Sequence, residues 1–362
     1  MMEVAMSKLR CGVAGLGHGN QFVSILESLP QCEVVSVCNS NTDVLSRYSR
    51  FSTHTDFHSF VREDLDIAVV ITRAPGHAAE SVEALERGMH VLCETPNVYS
   101  IEEAKRVVQA AKSSGKKYML AENYIWMGWY LALSKMKEDG LLGEIIYAEG
   151  DYTHDCRDIM LKADGGYIPY DKRGEYPDAV KSWRAVNLPP LVYSSHTLGP
   201  LLSLMEDSVR TCTGFHAGGR TAPELGTIDL EVGLLQTEKG SVIRLTNGFT
   251  VAHPMSLHYK VIGTKGSALV QAMGDCVMYS YSDNDKTASG KWKSAQLPFE
   301  QRPDGRSSTE VMVEEFVQSV VDDTPPPVDI YSSLEMVLPG VLAHQSALKD
   351  GEKLAVPDFR SW

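Results

Sequence analysis

In the first third of this chain five short apolar runs, "RCGVAGLG", "EVVSVC", "DIAVVIT", "HVLCE" and "KYMLAEN", are separated by stretches with helical periodicity. Runs this short between turn-forming residues read as buried strands. Strands that alternate with helices cannot be joined by hairpins, so they lie parallel with helices covering both faces. The clearest helix is "SIEEAKRVVQAAKSSG", which opens on Ser100, has Glu103 in capping-box position and stops at Gly115. The expected fold class is therefore α/β, beginning with a doubly wound parallel sheet.

After Asn123 the pattern changes. A helix at "WYLALSKMKEDG" leads into the long strand "EIIYAEGDYTHD" and then an irregular segment, residues 156–190, rich in Gly, Pro, Asp and Tyr. Loops of that length inside a compact chain are commonly functional. The helix "SSHTLGPLLSLM" follows, then "TIDLEVGLLQT", "SVIRLTNGFTVA" and "LHYKVIGTKGSALV", strands suited to antiparallel pairing. The helices "STEVMVEEFVQSVVDD" and "SSLEMVLPGVLAHQSALKDG" flank a rigid "TPPP" and close the chain. At 362 residues the chain exceeds the roughly 250 that one core holds. Two domains are expected, residues 1–123 and 124–362, with the last helix packing back on the first domain.

A net charge of -13 argues against nucleic acid or an anionic membrane as partner, because both need a basic face. The opening "MMEVAMSKLR" has no apolar segment, and no run approaches the ~18 apolar residues of a membrane span; a cytoplasmic protein is expected. Its seven cysteines are scattered, without a C-x-x-C pair, and read as small buried hydrophobes rather than disulfides or zinc ligands.

"GVAGLGHGN" puts Gly15, Gly17 and Gly19 directly after the first strand and at the start of a helix. Glycines there let backbone N–H groups approach a pyrophosphate at the positive end of a helix dipole. Asn20 stands where the third glycine of the G-x-G-x-x-G pattern would be. At the end of the second strand, where an acidic residue normally holds the adenosine ribose, this chain has Asn39 beside Ser40. NAD is the expected cofactor and NADP stays open, since Asn39 does not repel a 2'-phosphate. Thr72 and Glu94 end the next two strands, at the edge that would receive the nicotinamide half.

These residues, with "TRAPGHA", "CETP", "GLLGEIIYAEG" and "ALKDGEKLAVP", resemble the Gfo/Idh/MocA family of NAD(P)-dependent sugar oxidoreductases. The resemblance implies a Rossmann domain followed by an α+β domain with a large open, mostly antiparallel sheet. It also implies that His18, His77, Thr95, Pro96 and Asn123 join Gly15, Gly17, Gly19, Asn20, Asn39, Thr72 and Glu94 around the cofactor. Without the resemblance His77 reads as an ordinary surface or core histidine. Thr95 occupies the place of the family's catalytic lysine, and a threonine hydroxyl cannot carry its proton near neutral pH.

Within the family, "AENYIW", "GDYTHDCR", "WR" and "LVYSSHTLGP" are similar to glycoside hydrolase family 109, the NAD-dependent glycosidases, in which that lysine is also absent. By this likeness Glu122, Tyr152, His154, Tyr193 and His196 line the reacting sugar. Residues 159–181 and everything after Ser208 match that branch poorly, so its sugar preference is not carried over.

The implied chemistry is redox-neutral glycoside cleavage. C3 is oxidised while His196 takes the hydroxyl proton. Tyr152 or His154 then removes the acidified C2 proton, the group on C1 leaves, water adds and C3 is reduced again. Read without the family, Tyr152 and His154 share one face of a strand end, and Tyr193 and His196 lie one helical turn apart. Such a cluster suits repeated proton transfer. A simple sugar or glycoside 3-dehydrogenase and a non-catalytic NAD-binding sensor are the alternatives. Arg157, Lys162, Lys172, Arg173, Lys181 and Arg184, interleaved with Tyr167, Tyr170, Tyr176 and Trp183, form either a solvated loop or a site for a sugar with an anionic group; Arg157, Lys181, Trp183 and Arg184 are the substrate-binding candidates. Glu122, His154, Asp155 and His196 offer metal-ligand atoms, but no H-E-x-x-H or cysteine cluster supports a metal. Apolar residues on both faces of the later strands suggest a homo-oligomer, dimer or tetramer.

Overall fold

The computed structural model describes residues 7–162, 167–168, 170–186, 188–272, 276–284, 291–297 and 301–362, without the side chains of Tyr167, Tyr170, Asp171, Arg173, Trp183 and Ala272. The first sheet contains β1 (Leu9–Ala14), β2 (Cys32–Cys38), β3 (Ser52–His54), β4 (Ile67–Val70), β5 (His90–Cys93) and β6 (Tyr118–Leu120). All its pairs are parallel, in the order β3-β2-β1-β4-β5-β6. Every residue of β4 and β6 is buried, which is why these strands read as unbroken apolar runs. The order reverses between β1 and β4, and at such a switch point a crevice opens at the carboxyl ends of the strands.

Helices α1 (Asn20–Ser28), α2 (Thr42–Ser46), α3 (Phe57–Phe60), α4 (His77–Glu86) and α5 (Ile101–Ser114) cover this sheet. At the start of α5 the Ser100 hydroxyl accepts the Glu103 N–H at 3.1 Å, and the Glu103 carboxylate accepts the N–H of Tyr99 at 2.7 Å. Gly115 ends the helix at φ 64°, a conformation that favours glycine.

Through α6 (Gly128–Glu138) the chain enters β7 (Ile145–Thr153). Three two-residue strands, β8 (Met160–Leu161), β9 (Tyr167–Ile168) and β10 (Val180–Lys181), form a small sheet ahead of α7 (Trp183–Val186) and α8 (Ser195–Met205). The large second sheet adds β11 (Val209–His216), β12 (Leu230–Thr237), β13 (Val242–Gly248), β14 (Ser256–Gly263), β15 (Gly266–Ala272), β16 (Cys276–Ser282), β17 (Lys293–Leu297) and β18 (Leu354–Ala355). Its order is β17-β16-β15-β14-β7-β13-β12-β11-β18, antiparallel except between β7 and β13. Helices α9 (Ser308–Val321) and α10 (Ile330–Ala347) complete the fold.

Helix α10 packs on β11, β12 and α8 of one half and on α5 and β6 of the other. The N–H of Leu120 donates to the Val328 carbonyl at 3.1 Å, and Asn97 donates to the Ser333 hydroxyl at 3.3 Å. On the inner face of β12 stands Glu231, with no exposed surface. It faces Nδ1 of His344 on α10 at 2.7 Å and accepts the N–H of Leu191 at 2.9 Å, so one buried carboxylate ties the sheet to the helix and to the turn at Pro190–Tyr193.

Two outcomes follow from this packing. Glu231→Ala leaves the Leu191 N–H and His344 without an acceptor and is expected to cost about 1–3 kcal/mol in urea unfolding, whereas Glu231→Gln, which keeps the acceptor for Leu191, costs less. His90 accepts the N–H of Lys117 through Nδ1 at 3.0 Å, and burial, followed by the charges of Lys116 and Lys117, pushes its pKa down to about 4. The unfolded ring protonates near 6.5, so stability from neutral His90 is complete above that pH and is lost as pH falls from ~6.5 to about 4. Thermal melts across this window should show a smaller acid-side loss for His90→Asn than for the parent.

Candidate functional site

Residues 15–19 turn from β1 into α1. Gly15 has φ 96°, and a Cβ there would lie 2.0 Å from the Ile71 carbonyl oxygen; one at Gly19 would lie 2.1 Å from the Gly15 oxygen. Only glycine closes this turn. No side chain caps α1, so its first N–H groups are suited to an anion. A cavity of about 820 Å³ runs from Gly15 and Gly17 across the strand ends to Tyr152, Tyr193 and His196. A cradle that admits no Cβ, opening into a cavity of that size, fits a dinucleotide.

His18, Asn39, Thr72, His77, Glu94, Thr95 and Asn123 also line this cavity; Gly19, Asn20 and Pro96 do not. The carboxamide oxygen of Asn39 accepts the Asn41 N–H at 2.9 Å, leaving its N–H groups for a ribose. His77 is buried with Nδ1 2.9 Å from the Pro96 carbonyl and Nε2 3.2 Å from that of Thr72. Burial lowers its pKa, and a neutral ring donates through one nitrogen, so the shorter contact to Pro96 takes the proton. His77 therefore clamps the turn after β4 to the turn after β5. Glu94 accepts the Thr95 N–H at 3.0 Å and lies 3.8 Å from Nε2 of His18. Asn123 donates to the Ser308 and Thr309 hydroxyls at 3.1 and 3.4 Å, anchoring α9. The Thr95 hydroxyl is buried on the side of the cavity where Tyr193 lies.

At the far end of the cavity Glu122, fully buried just beyond β6, faces Nδ1 of His196 at 2.8 and 2.9 Å. A carboxylate only accepts, so Nδ1 holds the proton and Nε2 presents its lone pair. The Tyr193 hydroxyl donates to that Nε2 at 3.1 Å and accepts from Arg184 at 3.2 Å. Burial raises the Tyr193 pKa, and the Arg184 charge partly opposes this, so the phenol keeps its proton. Tyr124 stacks on the His196 ring at 4.0 Å and 4°.

The Tyr152 ring lies 6.1 Å from that of His196 and 6.0 Å from that of Tyr193. His154 packs 6.5 Å from Tyr152 but does not line the cavity. Its pKa is lowered by burial and then by Arg184, and its Nδ1 is buried without a partner among the described residues.

The loop cations separate. Arg184 and Lys162 line the cavity. Arg157 is instead held by Asp155 through two contacts at 2.8 and 2.6 Å, and Lys181 donates to the Arg157 carbonyl at 2.7 Å; neither lines it. The side chain of Trp183 lies outside the described residues. Among the described residues no group of three or more His, Cys, Asp or Glu side chains is placed to hold a metal.

Sequence reasoning missed the residues that fix this cluster from behind. Asn247, buried on β13, donates to the carbonyls of Pro190 at 3.1 Å and Tyr193 at 2.9 Å. The Tyr259 hydroxyl donates to the His196 carbonyl, and the Ser194 hydroxyl donates to that of Met336 at 3.0 Å. The available signal was a polar residue at an inward strand position, Glu231 in "DLEVGLL" and Asn247 in "RLTNGF", because a polar group buried in a sheet face must have a partner.

Residues 9–122 match the profile of the Gfo/Idh/MocA oxidoreductase family, NAD-binding Rossmann fold. Residues 223–361 match that of the glycosyl hydrolase 109 C-terminal domain, which corrects the expectation that everything after Ser208 departs from that branch. A glycosyl hydrolase family 109 protein of Streptomyces filamentosus is 26% identical over 394 residues, covering 98% of this chain and 78% of the relative. One from Solibacter usitatus is 22% identical over 401 residues, covering 97% and 88%. In fold, the chain is similar to aldose-aldose oxidoreductase from Caulobacter crescentus, crystallised with glycerol, with a TM-score of 0.76, 16% identity and coverage of 96% and 100%. Levoglucosan dehydrogenase in complex with NADH and levoglucosan gives a TM-score of 0.77, 16% identity and coverage of 97% and 100%. The chain is thus an NAD-dependent enzyme built from a Gfo/Idh/MocA oxidoreductase domain and a glycosyl hydrolase 109 C-terminal domain.

Proposed function

We propose that this enzyme cleaves a glycosidic bond by transient oxidation at C3 of the sugar, with residues 1–123 carrying the nucleotide and residues 124–362 the glycoside. The observation that carries the reading is the Glu122–His196–Tyr193 chain, at 2.8 and 3.1 Å, facing the cavity that begins at the glycine turn. Gly15, Gly17, Asn39, Thr72, Glu94 and Thr95 would hold NAD, which supplies a hydride acceptor at the start of the cycle and a hydride donor at its end.

His196 takes the C3 hydroxyl proton by way of Tyr193, whose hydroxyl gives its own proton to Nε2 as it accepts that of C3, and the Glu122 carboxylate stabilises the resulting imidazolium. Tyr193 and Arg184 orient that hydroxyl through the shared hydrogen-bond chain. Oxidation at C3 acidifies the neighbouring C2–H bond. The phenolate form of Tyr152, which lines the cavity, removes this proton and returns it to C2 when water adds, and His154 behind it, kept neutral by burial, is the reserve base. The C1 substituent then leaves with a proton and water takes its place. Paired hydrolase carboxylates are unnecessary on this route.

The second reading, a glycoside 3-dehydrogenase, is favoured by one observation: His154 does not line the cavity, leaving Tyr152 alone near C2. Both readings take a sugar as substrate. Arg184 and Lys162 in the cavity wall suit one with a carboxylate or sulfonate. The glycoside-active names of the relatives and the sugar-oxidising names of the fold neighbours support this class. Seven free buried cysteines suit a reducing compartment such as the cytoplasm, and no described helix is long and apolar enough to cross a membrane. We also propose that a second copy covers the outer face of the large sheet, where Ile146, Leu234 and Val242 remain 50%, 45% and 39% exposed.

His196→Ala should lower kcat on chromogenic glycosides with NAD+ by about 10²–10⁴-fold. Tyr152→Phe should stop aglycone release while NADH still accumulates, and the parent enzyme in heavy water should place deuterium at C2 of recovered substrate. Stoichiometric NADH without aglycone or C2 exchange in the parent would establish the dehydrogenase instead. Light scattering should give a multiple of the chain mass, reduced to a monomer by Ile146→Lys with Leu234→Lys.

A further inference from the structure

The end of β2 lacks the carboxylate that usually distinguishes NAD from NADP, and Asn39 stands there with its carboxamide oxygen already committed to Asn41 at 2.9 Å. What remains is an N–H donor, which a 2'-phosphate would accept. Taken alone, this strand end admits either nucleotide. Yet β3 pairs with β2 so that Cys38 stands opposite His54, and the Asn39 N–H donates to the His54 carbonyl at 3.0 Å. Thr55 and Asp56 therefore emerge beside Asn39 at the same edge. From the other side, Glu80 in the first turn of α4 accepts the hydroxyl of Thr72, which follows β4. Asp56, Glu80, Thr72 and Asn39 all line the cavity into which the glycine turn opens.

We propose that Asp56 and Glu80 take over the role of the missing strand-end carboxylate and select NAD over NADP. The fields of Glu80 and Asp56 also add to the burial that pushes the thiol of Cys38, the last residue of β2, up to about 12. Asp56 is held as the anion chiefly by the Ser59 N–H, which donates to it at 2.8 Å. Burial raises the Glu80 pKa, and the Thr72 hydroxyl opposes that rise. Arg73 also lines this cavity, so the two carboxylates act in the presence of a cation. Ribose hydroxyls donate to carboxylates, whereas a 2'-phosphate brings additional negative charge against them, so the same two groups draw in one cofactor and repel the other.

The test is calorimetric titration of the full chain, stripped of nucleotide, with NAD+ and with NADP+. No sugar is present, so the result is independent of the glycosidase reading. The parent protein should bind NAD+ at least about tenfold more tightly. Asp56→Asn retains a good helix cap and Glu80→Gln retains an acceptor for Thr72, so both variants should fold. Each should reduce the NAD+/NADP+ affinity ratio by about threefold and the pair by about tenfold, mainly through tighter NADP+ binding. Adding Asn39→Asp to the double variant should restore the preference. A parent that binds both nucleotides equally, or a ratio unmoved in the double variant, overturns the proposal. If the double variant does not fold, an unmoved ratio in both single variants overturns it equally.

Discussion

The contact between Glu122 and His196 joins the two halves of this enzyme at the place where we propose that its chemistry is centred. Glu122 stands just beyond β6 of the first sheet and His196 in α8 on the second, and the carboxylate has no exposed surface. Burying such a group is costly unless it is hydrogen-bonded and paired. The imidazole at 2.8 Å and the Tyr124 N–H at 3.2 Å provide that compensation. The compensation exists only when both sheets dock in one arrangement. The docking is secured by α10 and the Asn97–Ser333 hydrogen bond, and Tyr124 seals the pair by stacking on its ring.

Five of the six strands of the first sheet were legible as short apolar runs between helices, whereas β3, a polar and largely exposed edge strand, was not. In the second sheet the hairpin β12–β13 was legible as two strands with a short connection, whereas "LHYKVIGTKGSALV", read as one segment, folds back on itself as β14 and β15. The parallel pairing of β7 with β13 was not legible. An alternating strand satisfies either pairing direction, and these two segments meet only because β7 is inserted between β13 and β14. That choice depends on contacts remote in sequence, above all the seating of α8 and α10.

The site divides along a similar line. Glu122, Tyr193 and His196 stood out through motif likeness and spacing, and they do converge. The run of cations between Arg157 and Arg184 read as either a solvated loop or a binding surface, and neighbouring groups consume part of it: Asp155 engages Arg157, whose carbonyl in turn engages Lys181. Local pairing of this kind is invisible to a count of charges. Glu231 and Asn247 went unnoticed because their role is to hold the backbone that presents Tyr193 and His196, work that leaves only an inward polar residue as its trace.

A single long helix braced against both sheets has a consequence for turnover. With α10 seated on β6 and α5 on one side and on β11, β12 and α8 on the other, the two walls of the cleft form one stiff frame, and jaw-like opening would break its packing. The small sheet of β8, β9 and β10 stands outside that frame, and Leu161 of β8, with Lys162 and Ser182 beside it, borders the cleft.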